Sequence, residues 1–432
     1  MNKEIFRIAI PSIITNITVP LLGLLDTAIA GHLGAPVFIG AVAVGSMMFN
    51  LIYWNFGFLR MSTSGLTAQA YGSKNHVECR NVLQESIVVA MLIATAILLF
   101  QWPLQWLGLK VIGPSAEVAR LARIYFYITI WGAPAEMLMM AAKGWLLGMQ
   151  NSRAPMLISI LVNVINIIAS LVAVYVLKLG FIGIAMGTVV SQWSGLALTA
   201  WLLHRDYGNI VRDISFRSLL RTHISRKYFT VSGDIFLRSL LLMLVNLGMV
   251  SIGARSGDLL LAVNALMQQL NTLFAYFLDG IAFAGEAITG KYYGARDIAR
   301  MRQCVRRLFL WASALALIFT IIYAFPQHIF SLLTNEKQVV EAAMDYRWWC
   351  SLLPFAGMAA FVWDGVFIGL TRSRGMLAAV AAAAVSFFGL YFLLPQSMGN
   401  HRLWLAFVIY LATRGIVQTC IYPRYIRSTN QV

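Results

Sequence analysis

LTAQAYGSKN (66–75) and ITGKYYGARD (288–297) align without gaps at an offset of 222, matching Thr67 with Thr289, Tyr71 with Tyr293 and Gly72 with Gly294. At the same offset Gly31 meets Gly253. A second pair, GWLLGMQNSR (144–153) and GVFIGLTRSR (365–374), aligns at 221, each carrying G-x-x-x-G and then Ser-Arg. Two separate regions that agree on one offset make the chain a duplication of one unit.

What kind of unit follows from composition. Of 432 residues, 59% are hydrophobic and 12% charged, against typical globular shares of about 45–50% and about 25%. That excludes a water-soluble domain. Apolar runs place helices near 8–30, 37–71, 81–108, 115–150, 155–177, 181–203, 230–254, 257–293, 303–333, 338–371, 375–395 and 402–423. Each is long enough for the roughly 20 residues that cross a bilayer. The expected fold is an all-α membrane protein of twelve transmembrane helices in two pseudo-symmetric six-helix lobes around a central cavity. The first run has a basic start but no small-residue cleavage site, so it reads as a retained first span and not a signal peptide.

Six spans per copy is an even number, so both copies enter the membrane in the same orientation. Their relating axis then runs along the membrane normal, as in transporters whose site lies near the midplane between the halves. Lys and Arg between spans divide 21 on the side of the termini to 8 on the other. The positive-inside rule puts both termini in the cytoplasm. This asymmetry also accounts for the formal charge of +16 without a nucleic-acid partner. The most polar stretch, HRDYGNIVRDISFRSLLRTHISRKYF (204–229), divides the chain nearly in half. It reads as a linker at 205–228 between lobes 1–204 and 229–432. Ile210, Val211, Ile214, Phe216, Leu219 and Leu220 give it enough amphipathic character for a short helix on the membrane face.

The scaffold is duplicated but its buried charges are not. Asp26 faces Gly248 in the repeat, Asp364 faces Lys143, Glu286 faces Ser64, Asp279 faces Gly57 and Arg60 faces Ala282. A charge at the bilayer centre costs about 2.5–3.5 kcal/mol on insertion scales, so embedded acids are candidate functional groups. Asp26 lies roughly 27 Å along the first helix. Pro11 and Pro20 precede it, and Pro20 frees a carbonyl and bends the helix before the acid. Asp279, Glu286 and Asp364 have Arg60, Lys143 or Arg238 as possible ion-pair partners. Asp234 and Arg238 stand at i, i+4, the spacing of a local salt bridge. Met47, Met48, Phe49, Tyr53 and Trp54 in the second span, with Phe274, Tyr276 and Phe277 in the eighth, are candidates to line a cavity for flat apolar ligands.

Several chemistries have no signature. There is no G-x-x-x-x-G-K-[ST] phosphate loop, H-E-x-x-H metal pair or C-x-x-C, and the six His are scattered over loops and span ends. No cofactor, metal or ATP-driven enzyme activity is expected.

AIPSIITNITVPLLGLLDTAIAGHLG (9–34), LRMSTSGLTAQAYGSKN (59–75), GWLLGMQNSRAP (144–155), AVNALMQQLNTLFAYFLDGIAFAGEAITGKYYGARD (262–297) and WDGVFIGLTRSR (363–374) carry a resemblance. They resemble the multidrug and toxic compound extrusion (MATE) family, in its DinF-like branch. The resemblance implies an antiporter that expels amphipathic, often cationic compounds in exchange for H⁺ or Na⁺. It implies a bacterial inner-membrane setting, small-molecule partners and a monomer. It also implies that Asp26, in the family's L-x-D-T, couples the cation, and that the first helix bends at Pro11 when it is protonated. The family's fifth-helix pattern N-x-x-x-D is only half present, because Asn166 is followed by Ser170 at the acid position. The expected cluster is therefore Asp26, Asn163, Asn166, Ser170, Tyr125, Tyr127 and Thr188.

A lipid-precursor flippase is the alternative transporter, but it favours a more cationic cavity and extra helices. A membrane-embedded transferase needs Asp-rich metal motifs, and none is found. The coupling ion is read from Ser170. Na⁺ is best served by two carboxylates that supply ligands and balance charge. A single acid suffices for a proton, so H⁺ is the expected ion.

Overall fold

Proline, glycine and capping side chains cut the apolar chain into helices at matching places in both halves. A computed structural model describes residues 1–429, the side chains of 19–22 and 427–429 excepted. The first half runs α1 (Asn2–Gly31), α2 (Pro36–Asn55), α3 (Phe58–Gly72), α4 (His76–Leu99), α5 (Gln101–Ile112), α6 (Ala116–Thr129), α7 (Ala133–Gly148), α8 (Arg153–Leu171) and α9 (Phe181–Val211). A short α10 (Phe216–Leu220) precedes α11 (Arg226–Arg255), α12 (Asp258–Gly294), α13 (Ile298–Ala324), α14 (Gln327–Leu333), α15 (Lys337–Met344), α16 (Arg347–Gly369), α17 (Ser373–Leu393) and α18 (His401–Thr429). Among the described residues no strand occurs.

Among the described residues, eleven stretches are long and apolar enough to span a bilayer by themselves. The twelfth passage is α6 with α7, which a 3-10 turn at Ile130–Gly132 divides into two pieces. Pro134 in the first turn of α7 explains the restart, since its missing N–H costs nothing there. The fold is thus the expected twelve-helix, two-lobe architecture.

The repeat is visible residue by residue. Helix ends at Gly72 and Gly294 share the 222 offset, and those at Gly148 and Gly369 share 221. Beyond the first pair, Lys74 (φ 57°) and Arg296 (φ 59°) adopt the left-handed conformation; beyond the second, Gln150 (φ 65°) and Thr371 (φ 52°) do. Then Asn75 caps α4 by accepting from the Glu78 amide at 3.0 Å, and Asp297 caps α13 by accepting from Arg300 at 3.0 Å. One asymmetry stands out: 36–72 breaks between α2 and α3, whereas its counterpart α12 is unbroken.

Both G-x-x-x-G patterns mark close helix crossings, the usual use of small residues in membranes. A Cβ on Gly144 would lie 2.3 Å from the Arg60 carbonyl oxygen of α3, and one on Gly148 2.6 Å from Thr67 Cβ. The counterparts meet α12 alike: 2.2 Å from Ala282 O at Gly365, and 2.4 Å from Thr289 Oγ1 at Gly369. Gly144→Ala and Gly365→Ala should therefore each lower stability by about 1–3 kcal/mol through forced backbone shifts, and the two costs should add. Gly389→Ala is the control, because nothing lies within 4 Å of its Cβ. Thermal midpoints in detergent measure this, and Gly365→Ala matching Gly389→Ala would refute it.

By contacts the chain forms two compact units, 14–232 and 1–13 with 233–432. Helix α1 contributes to both, and the 205–228 segment belongs with the first half. The linker also starts later than expected. Helix α9 continues to Val211 across a kink at Tyr207 (φ −132°, ψ 24°), where Ile210, Val211 and Ile214 pack on a buried cluster around Trp145 and Leu83. Only the five residues of α10 remain of the interfacial helix.

Candidate functional site

Within the first-half unit, α1, α6, α8 and α9 bring most of the expected cluster together. Asp26 is 3% exposed in α1, and Asn166 and Ser170 are fully buried on α8. Asn166 Nδ2 donates to Thr188 Oγ1 at 3.1 Å, and that hydroxyl bonds back to the Ile184 carbonyl at 3.2 Å. The same Thr188 hydroxyl stands beside the Asp26 carboxylate. Ser170 presses against Gly187, where a Cβ would sit 2.1 Å from its Oγ. The Tyr125 phenol, buried on α6, faces Thr188, Ser46 and Thr129, and it fits because Gly45 leaves room: a Cβ there would be 2.4 Å from the ring. Asn163 takes a different task, donating to the Thr18 carbonyl of α1 at 2.8 Å. It ties α8 to the helix that carries Asp26.

Tyr127 does not join. Two residues from Tyr125 on a helix, it points about 200° away, and its hydroxyl donates to Gln105 at 3.3 Å. Sequence reasoning missed Gln192, which covers Gly132 so closely that a Cβ would fall 1.6 Å from Oε1, and which the Tyr53 hydroxyl approaches. Its place at i+4 from Thr188 on one face of α9 was the available signal. Glu136, in the first turn of α7, also lies toward Tyr53.

The electrostatics are lopsided. Among the described residues no Lys or Arg pairs with Asp26, and Asp26 Oδ1, Asn166 Oδ1 and Ser170 Oγ have no hydrogen-bond partner. Two of those three atoms can only accept. A buried cluster with acceptors in excess of donors is suited to receive a cation. Pro11 is buried in α1. The side chain of Pro20, also within α1, lies outside what is described.

The aromatic candidates divide by helix face. Phe49 is 6% exposed and stacks on Phe126 at 5.1 Å, with Tyr53 one turn on at 5.5 Å; Met48 is 2% exposed. Met47 and Trp54, seven residues apart, form the exposed face at 54% and 47%. In the second-half unit Phe274 is fully buried against Phe319 at 5.3 Å. Phe49 and Phe274 are thus core residues and not cavity lining, because neighbouring rings enclose them. Tyr276, Phe277 and Asp279 are half-buried, and Glu286 is 1% exposed.

Asp364 takes the ion pair with Arg238 that the sequence offered as one of its partners. Instead of facing a cavity it is held by Arg238, by Arg414 at 2.7 Å and by Gln418 Nε2 at 2.8 Å. The i, i+4 pair of Asp234 and Arg238 does not form, because Arg238 turns to Asp364 while Asp234 accepts from Ser373 Oγ at 2.6 Å.

A duplicated twelve-passage helical bundle, with a buried Asp26 that pairs with no Lys or Arg among the described residues, is the architecture of a membrane transporter. The MatE family model matches residues 11–172 and 235–399. The chain is 37% identical over 430 residues to the DNA damage-inducible protein F of Escherichia coli strain K12, covering 99% of this chain and 93% of that protein. It is 24% identical over 427 residues to a probable multidrug resistance protein NorM of Acinetobacter baylyi, with 94% and 92% covered. The structure of a Vibrio cholerae MATE transporter in its bent form superposes with a TM-score of 0.86 at 19% identity, over 99% and 98% of the two chains. The chain therefore belongs to the MatE family of multi-span transporters, and it is not an enzyme.

Proposed function

We propose that the chain is a proton-coupled antiporter that exports amphipathic, often cationic compounds by alternating access. The observation that carries this reading is the isolation of Asp26: buried, beside Thr188, with one carboxylate oxygen unpartnered and no Lys or Arg paired with it among the described residues. Ionised, it attracts a cationic substrate. Protonated, it becomes a hydrogen-bond donor for an acceptor such as Asn166 Oδ1. The two occupants compete for one group, and exchange follows from that competition. Met47 and Trp54 are the exposed apolar candidates for substrate contact. The setting we infer is a bacterial inner membrane with both termini cytoplasmic, since 21 of the loop Lys and Arg fall on that side. The relatives named for multidrug resistance support the substrate class.

Na⁺ is the competing ion, and the unpartnered oxygens of Asn166 and Ser170 are its support. Only one of the oxygen ligands it would use bears a formal charge, so a proton is favoured. Efflux from proteoliposomes under an imposed pH gradient or an imposed Na⁺ gradient decides between them. The pH gradient should drive dye export and the Na⁺ gradient alone should not. Export driven by Na⁺ and insensitive to collapse of the pH gradient would overturn the proton reading.

A further inference from the structure

We infer that the first-half unit carries a phospholipid headgroup site, selective for a phosphate–ammonium zwitterion, between α4 and the linker helix α10. A cavity of about 480 Å³ lies there, lined in part by Gln84, Glu85, Arg217, Ser218, Arg221 and His223. Its walls are built. Gln84 Nε2 donates to Ser218 Oγ at 3.1 Å across the two elements, and the Ser215–Ser218 capping box closes α10. Glu85 is 8% exposed and fixed by the Ser225 hydroxyl, which donates to Oε2 at 3.0 Å.

The wall's cations are unused. The side chains of Arg217, Arg221 and His223 form no hydrogen bond or ion pair among the described residues, although Arg80 on α4 is paired with Asp213. Two guanidinium forks on one cavity fit the oxygens of a phosphate group. An inorganic anion would leave the Glu85 carboxylate with only Ser225 and no counter-cation. An ethanolamine phosphate places an N–H-bearing cation a few ångströms from its phosphate and answers both charges. The apolar edge of α10 also agrees. Phe216 and Leu220, one turn apart on α10, are 69% and 73% exposed, so the helix presents an apolar edge suited to the acyl boundary beside its arginines. A headgroup so held would brace the linker against α4.

The test uses the full chain in phosphatidylcholine nanodiscs doped with traces of phosphatidylethanolamine or phosphatidylglycerol, with bound lipid read by native mass spectrometry. Phosphatidylethanolamine should be retained over both others, since choline offers no N–H donor and glycerol no cation. Arg217→Ala with Arg221→Ala should cut its retention by about tenfold or more, and Glu85→Gln should erase only the preference over choline. Arg217 and Arg221 are exposed, and glutamine at 85 keeps the shape of the acid and an acceptor for Ser225, so both variants should elute as the unaltered chain does. Equal retention of all three lipids, retention unchanged in the double arginine variant, or displacement by inorganic phosphate would each overturn the proposal.

Discussion

Asp26→Asn should insert, fold with nearly unaltered stability and export no dye. Asparagine has the shape of the acid and keeps an acceptor beside Thr188, and no cation loses its partner, since none pairs with Asp26 among the described residues. What it loses is the capacity to change charge. Dye export should fall to the background of an efflux-deficient host, while expression and thermal midpoint stay close to those of the unaltered chain. Efflux at the normal rate from this variant would refute the coupling role.

Asp364→Asn should do the reverse. Arg238 and Arg414 are each 5% exposed, and their mutual repulsion is now screened by the carboxylate between them. Removing one charge of a buried ion cluster costs about 3–5 kcal/mol, because the remaining charges stay buried and unpaired. The variant should be poorly expressed, with a much lower midpoint in fluorescence-detected size exclusion. Replacing all three groups by apolar residues of similar volume should recover most of that loss. A stable Asp364→Asn would mean that the arginines are compensated elsewhere.

Sequence alone could not separate these two acids, since each is an Asp within an apolar span. Their difference lies in which helix faces them, and the Arg238 partner sits 126 positions from Asp364. The nearer acid, Asp234, suggested a local pair that the fold does not use. Tyr127 failed for a simpler reason: a list of polar residues ignores the helical turn that sends 125 and 127 to opposite sides. What was legible rested on period and repetition. The span count and the duplication needed no knowledge of partners, whereas Asn166, Ser170 and Thr188 were named only through the family resemblance. The break at Ile130–Gly132 and the kink at Tyr207 left only weak marks, because packing decides where a long apolar helix can afford to deform.

The left-handed turns at Lys74 and Arg296 carry a consequence for biogenesis. Glycine would adopt φ near 57–59° freely, whereas a residue with a side chain is strained there by about 1–2 kcal/mol. Each half nonetheless holds a cation at that turn. Strain is felt only by the finished backbone, while a positive charge acts on the nascent hairpin as the insertion machinery chooses its orientation. On the proposed topology the mature fold bears a small permanent cost for a charge that is read before it exists, and relieving that strain with glycine would remove that charge from each half.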